Sequence, residues 1–277
     1  MGVVRYDIQE ASFAASASAQ YELSILAGVD SSSYLLADSL GAVQCVRAIQ
    51  HGSGSAAWWT TDEFMQRSYA KSRLAWLEPR FTLVPTRLYN AEKRRTYLET
   101  LTNLREGDTI MADVLPQLDL VLIYAVAQAQ LTSWRHTLVG CRFYHVLTPI
   151  LRQLSQLTQL SGLPRIFAYQ HDKILLTIAI DRGQVVFCNA FHCQAAKDVL
   201  YYILLTYEQC KWEPQRVALR LFGELTTDAE IYKLCYRYVR DMDFLPTKQL
   251  VSWGPVASEH PEHLFFALAA LHHYQPS

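Results

Sequence analysis

From Tyr21 onward the apolar positions fall into short runs separated by small or polar residues, a pattern of strands joined by turns. Residues 23–27, 34–37 and 43–49 are three such runs, with turns at 28–32 and 38–41. A Gly/Ser loop at 51–55 precedes a predicted helix starting after Thr60, whose spacing to Glu63 fits a capping box; Glu78 closes it. Residues 81–84 read as a strand and 91–103 as a polar helix. The stretch 108–130 mixes a strand-like run at 120–124 with Ala and Gln that favour helix. A strand is predicted at 142–147, then Thr148-Pro149 fits an N-cap with proline at the first helical position. The helix behind it carries Leu151, Leu154 and Leu157 on one face and Gln153, Gln156 and Gln159 on another, until 161–164 breaks it.

The second half begins the same way. Strands are predicted at 166–169, 173–180 and 184–190, joined by turns at Gln170-His171-Asp172 and Asp181-Arg182-Gly183. Ala196, Val199, Leu200, Ile203, Leu204 and Tyr207 recur at spacings of three and four, the strongest amphipathic helix signal in the chain. A strand at 217–222 ends at Gly223. Thr227 and Glu230 form a second capping box ahead of a helix lined by Ile231, Leu234, Cys235 and Tyr238. After a short strand near Phe244, Pro261 opens a last helix bearing Leu264, Phe265, Leu268 and Leu271. Both halves thus read as three meandering strands, helix, strand, helix, which implies an α/β fold of mixed sheets covered by helices. The expected organisation is a flexible N-terminus over 1–18, a first domain over 19–160 and a second over 161–277.

Composition narrows the classes. Half of the 277 residues are hydrophobic (51%) and only 18% are charged, enough apolar surface to offset chain entropy and exclude disorder. Lys+Arg 25 against Asp+Glu 26 leaves net charge −1, without the electrostatic footprint of a dedicated nucleic-acid binder. No apolar stretch approaches the roughly 20 residues that span a bilayer, and Asp7 and Glu10 interrupt the place of a signal-peptide core. A cytoplasmic protein without membrane insertion is expected. Six cysteines with no Cys-x-x-Cys do not make a disulfide or zinc framework; Cys188, His192 and Cys193 read as core, not as a metal site.

The doubled element order resembles the plan of the actin-like ATPase (ribonuclease H-like) superfamily, which includes sugar kinases, Hsp70 and bacterial pilus-assembly and division proteins. Phe187-Cys188-Asn189-Ala190-Phe191, Asp198, Tyr201-Tyr202, Leu221-Phe222-Gly223-Glu224 and residues 236–240 are similar to an uncharacterised bacterial domain family of that fold. This resemblance extends over about 21–274. It implies ATP between two domains, with glycine-bearing turns between the first two strands of each wrapping the phosphates and an acidic residue helping to hold Mg²⁺. On that plan Asp30, Ser31, Ser32 and Ser33 would contact phosphate and metal, and Gly223 would meet the adenosine, if a nucleotide binds. Yet Gly28 precedes Asp30 where the plan has a glycine two residues after it, the turn 169–172 has no glycine, and Gly223 is followed by Glu224.

Other motifs have plain readings. Gly52-Ser53-Gly54-Ser55-Ala56-Ala57 matches a dinucleotide fingerprint but follows the third strand of a meander, and it reads as a loop. No Walker P-loop and no Gly-x-Ser-x-Gly elbow occurs. Arg87, Lys93, Arg94 and Arg95 have Glu92 and Glu99 beside them and read as a solvated face; Trp58-Trp59 reads as a core staple or a partner anchor. The leading expectation is a non-catalytic interaction or scaffold protein with protein partners, no catalytic residue and no resident cofactor. The alternative is a divergent ATP-binding phosphotransferase or ATPase in which Asp30 holds Mg²⁺ through water. A third reading is an RNA-associated factor using the face 87–95.

Overall fold

The apolar runs become strands in a computed structural model, which describes residues 3–51 and 58–276. The chain packs as two units: Met1–Pro149 with Lys248–Pro261 and Ala267–Ser277, and Ile150–Thr247 with Glu262–Phe266. In the first unit β1 (Val3–Gln9), β2 (Glu22–Ala27), β3 (Ser31–Ala37), β4 (Val43–Gln50), β5 (Lys71–Trp76) and β9 (Arg142–His145) form one sheet. Its order is β1-β4-β3-β2-β5-β9, with β2, β3 and β4 antiparallel and β2, β5 and β9 parallel. Every residue of β3 is buried, which explains its unbroken run of small and apolar residues. A three-stranded sheet of β6 (Phe81–Pro85), β7 (Asp108–Leu115) and β8 (Leu120–Ala127) interrupts this unit, with β8 in the middle. Leu98 of the short helix α1 (Arg94–Glu99) packs there with Val84, Val121, Ile123 and Ala125. Helix α2 (Gln128–Thr137) then leads to β9, and α3 (Leu147–Ser161) follows.

The second unit holds β10 (Arg165–His171), β11 (Ile174–Asp181), β12 (Gln184–His192), α4 (Ala196–Cys210), β13 (Ala218–Gly223), α5 (Glu230–Tyr236) and β14 (Met242–Phe244). Sheet order is β12-β11-β10-β13-β14, antiparallel among the first three strands and parallel through β13 and β14. Val199, Ile203 and Tyr207 of α4 and Ile231 and Cys235 of α5 close one core with Ile166, Leu175, Leu219 and Leu221. Third, second, first, fourth, fifth is therefore the order of both sheets, with β1 added at one edge of the first.

Four elements differ from expectation. No α-helix follows Thr60: a 3-10 turn, Trp58–Thr60, gives way to a loop in which the Asp62 carboxylate accepts the Phe64 and Met65 N–H groups at 2.9 and 3.2 Å. This is the bonding of a helix N-cap, made by Asp62 and not by Thr60, but the chain continues only as turns. Residues 71–76 before Glu78 are strand β5 because they fill the sheet beside β2. The expected flexible N-terminus contributes β1, paired with β4, and beyond it the buried Glu10 accepts N–H bonds from Val256 and Ala257 at 3.2 and 2.8 Å. At the second capping box, Ala229 stands at the N-cap of α5 without a side-chain bond. No helix among the described residues is long and apolar enough to cross a membrane.

Candidate functional site

In the first unit Asp30, Ser31, Ser32 and Ser33 lie together on the β2–β3 hairpin. Ala27 pairs with Ser32, and the Gly28 N–H closes the turn on the Ser31 carbonyl at 3.0 Å, leaving Val29 and Asp30 at the tip. The tip is tied to the end of β4: the Asp30 carbonyl accepts from the His51 N–H at 2.9 Å and from Gln50 Nε2 at 3.2 Å. Ser31, Ser32 and Ser33 are not loop residues. They lie inside β3, 2%, 2% and 9% exposed, and the Ser32 hydroxyl is 2.9 Å from His51 Nε2.

Gly223 belongs to the second unit, at the end of β13 beside Gln170. Its φ of +89° lies in the left-handed region, and a Cβ there would come within 2.1 Å of the Gln170 carbonyl oxygen and 2.8 Å of the Tyr169 ring. Glycine is required by this approach. It lets the next residue turn back onto β10: the Glu224 N–H donates to the Gln170 carbonyl at 2.8 Å, and Glu224 Oε2 accepts the Asp172 N–H at 2.9 Å. Asp172, at φ +48°, is the turn residue between β10 and β11. The buried His171 ring stands between two carboxylates, with Nδ1 3.6 Å from Glu224 Oε1 and Nε2 3.7 Å from Asp172 Oδ2. Sequence reasoning marked Gly223 but missed Glu224 as the partner of this turn. The available signal was the pairing of a glycine-free turn with a Gly-Glu at a strand end.

The remaining motifs resolve as structure. Cys188 and His192 share a face of β12, but His192, expected in the core, is exposed at the strand's end, while Cys193 beyond it is buried. Burial pushes the Cys193 thiol up to about 11. Among the described residues no three His, Cys, Asp or Glu side chains are grouped to hold a metal ion. Arg95 pairs with Glu99 at 3.6 Å on a solvated face, and Arg94 Nε donates to the Ala91 carbonyl at 2.8 Å. Trp58 and Trp59 are buried, and Trp59 stacks on Trp134 at 4.2 Å between ring centroids. Residues 52–57 lie outside the described residues.

Two sheets with the same 3-2-1-4-5 order define the class: this is an actin-like ATPase fold. A structure from Bacteroides thetaiotaomicron, a protein with actin-like ATPase fold and unknown function, is similar at 20% identity and a TM-score of 0.75, over 83% of this chain and 92% of that one. A chain of the PilM–PilN type IV pilus biogenesis complex is similar at 10% identity and a TM-score of 0.57, over 90% of this chain and 97% of that one. The chain belongs to the family described as protein of unknown function (DUF3822), whose model matches residues 10–242. No curated protein sequence matches it.

Proposed function

We propose that the protein is a non-catalytic interaction protein that keeps the actin-like fold as a scaffold and binds protein partners without using a nucleotide. The observation that carries this reading is Glu224. A phosphate turn works through free N–H groups and close backbone approach. Between β10 and β11 the Asp172 N–H is already taken by the Glu224 carboxylate, 2.9 Å away, and no residue of the turn is glycine. Asp172 and Glu224 also bring negative charge where a polyphosphate needs positive. On the other hairpin the Ser31–Ser33 positions serve the interior of β3, which leaves Asp30 alone to meet a metal. These residues do not fit a magnesium nucleotide. Tyr201 of α4 and Tyr236 of α5 are exposed, and tyrosine is enriched where proteins meet. The similar pilus-biogenesis chain was solved in a complex of two proteins. A cytoplasmic location belongs to the same reading.

Thermal unfolding tests it. With Mg-ATP, Mg-ADP or Mg-GTP at several millimolar, Tm is expected to move by less than about 1 °C, because stabilisation follows the logarithm of ligand over Kd. A rise of several degrees with Mg-ATP alone, abolished by Asp30→Ala, overturns the proposal in favour of a divergent phosphotransferase or ATPase.

A further inference from the structure

Lys71 and Arg73 occupy alternate positions of β5, so both project from one face of the sheet. The strand register puts Ser24 of β2 on one side of Arg73 and Arg142 of β9 on the other. Neighbouring strands lie about 4.8 Å apart, so two arginines stand side by side on parallel strands. Like charges placed this way repel. A single carboxylate offsets them: Glu22 Oε1 meets Lys71 Nζ and Oε2 meets Arg73 Nη2, both at 2.9 Å. His272 lies near this group and adds no charge at neutral pH, since burial and then Arg73 lower its pKa to about 4. Among the described side chains, three cations against one carboxylate leave two positive charges on a chain whose net charge is −1.

The donors here are also incompletely used. The Arg73 side chain is only 9% exposed, and among the described residues its Nη1 has no hydrogen-bond partner; neither has the buried Ser24 hydroxyl in the same cross-strand row. Native structures pair nearly all such groups, and a buried guanidinium N–H without an acceptor is among the more costly exceptions. Lys71, Arg73 and Arg142, with Gly140, Tyr274 and Gln275, line a cavity of about 470 Å³, within the size range of small-molecule sites. Among the described residues, none that lines it has an acidic side chain. It opens at the N-terminal ends of β5 and β9, whereas the Asp30 hairpin follows the C-terminal end of β2, roughly 17 Å along the strand. The two places are distinct.

We propose that this cavity binds a metabolite-sized phosphomonoester whose dianion bridges Arg73 and Arg142. Planar guanidinium forks match phosphate oxygens, and a dianion matches the two excess charges. Glycerol 3-phosphate is a suitable probe, titrated calorimetrically at low salt against wild type, Arg142→Gln, Lys71→Gln and Asp30→Ala. Arg142 and Lys71 are exposed, so these two variants keep the fold even if an Arg73 variant does not. Wild type is expected to bind with a Kd below about 1 mM, Arg142→Gln at least about tenfold more weakly and Lys71→Gln more weakly too, with Asp30→Ala unchanged. Absence of binding at 10 mM, on the order of ten times that limit, overturns the proposal. So does equal affinity in Arg142→Gln, or loss in Asp30→Ala alone. Succinate binding as tightly as the phosphate overturns the assignment of ligand class.

Discussion

Gly223→Ala is expected to destabilise the protein by about 2–5 kcal/mol, combining backbone strain of about 1–3 kcal/mol with overpacking of similar size. An alanine Cβ at φ +89° has no room: the Gln170 carbonyl oxygen would lie 2.1 Å away, and that oxygen is backbone in the centre of a sheet. Relief would have to move β10 or β13, and either movement breaks the Glu224 bonds to Gln170 and Asp172. Gly162→Ala is the control. Gly162 also has a positive φ, +65°, but a Cβ there meets nothing within 4 Å, so only the backbone term is lost. Urea unfolding should place Gly223→Ala well below Gly162→Ala in midpoint. Equal midpoints would show that the strands yield to the extra methyl and that the turn is not held rigidly.

The contrast between these glycines shows which parts of the fold the sequence makes legible. The antiparallel meanders are readable because each strand is an apolar run bounded by turn residues, as in the Asp181-Arg182-Gly183 hairpin, where Arg182 and Gly183 both take positive φ. The middle of the first unit is not. In β5 the sequence Lys-Ser-Arg-Leu-Ala-Trp hides a strand, because Lys71 and Arg73 find their ion-pair partner in Glu22, some fifty residues earlier in the chain. In β1, an edge strand with only Ile8 buried, no burial pattern exists to be read. The same limit applies to the candidate site. A strand-terminal glycine suggests a turn, so Gly223 was visible. The role of Glu224 depends on the register that sets Gly223 beside Gln170, and Arg142 meets Arg73 only through the register of β5 and β9. Pairing of distant strands decides both contacts, and the pattern within one strand does not name the strand it pairs with.

Asp113, which no motif reading would single out, is expected to add a stabilising contribution on the acid side of the stability curve. Its carboxylate is buried on β7 and accepts three bonds: from the His145 N–H at 2.8 Å, the Thr148 hydroxyl at 2.6 Å and the Tyr124 hydroxyl at 3.2 Å. Burial raises its pKa to about 6 despite these donors. Asp113→Ala should therefore cost about 2–4 kcal/mol at neutral pH, since three buried donors lose their acceptor. The pH dependence has a definite sign. A carboxyl with its folded pKa above the unfolded value takes up its proton in the folded state first, so stability rises as pH falls from about 6 toward 4. His145 acts in the opposite sense: fully buried, with its pKa lowered to about 4, it stays neutral while the unfolded histidine charges, and stability falls over the same range. The Asp113 contribution is isolated by comparing wild type with Asp113→Asn, in which every other group is retained. Between pH 7 and about 4.5 the difference in unfolding free energy should move in favour of wild type by about 2 kcal/mol. A flat difference would mean that the three donors hold Asp113 near its ordinary pKa, and a change of opposite sign would mean that they hold it below.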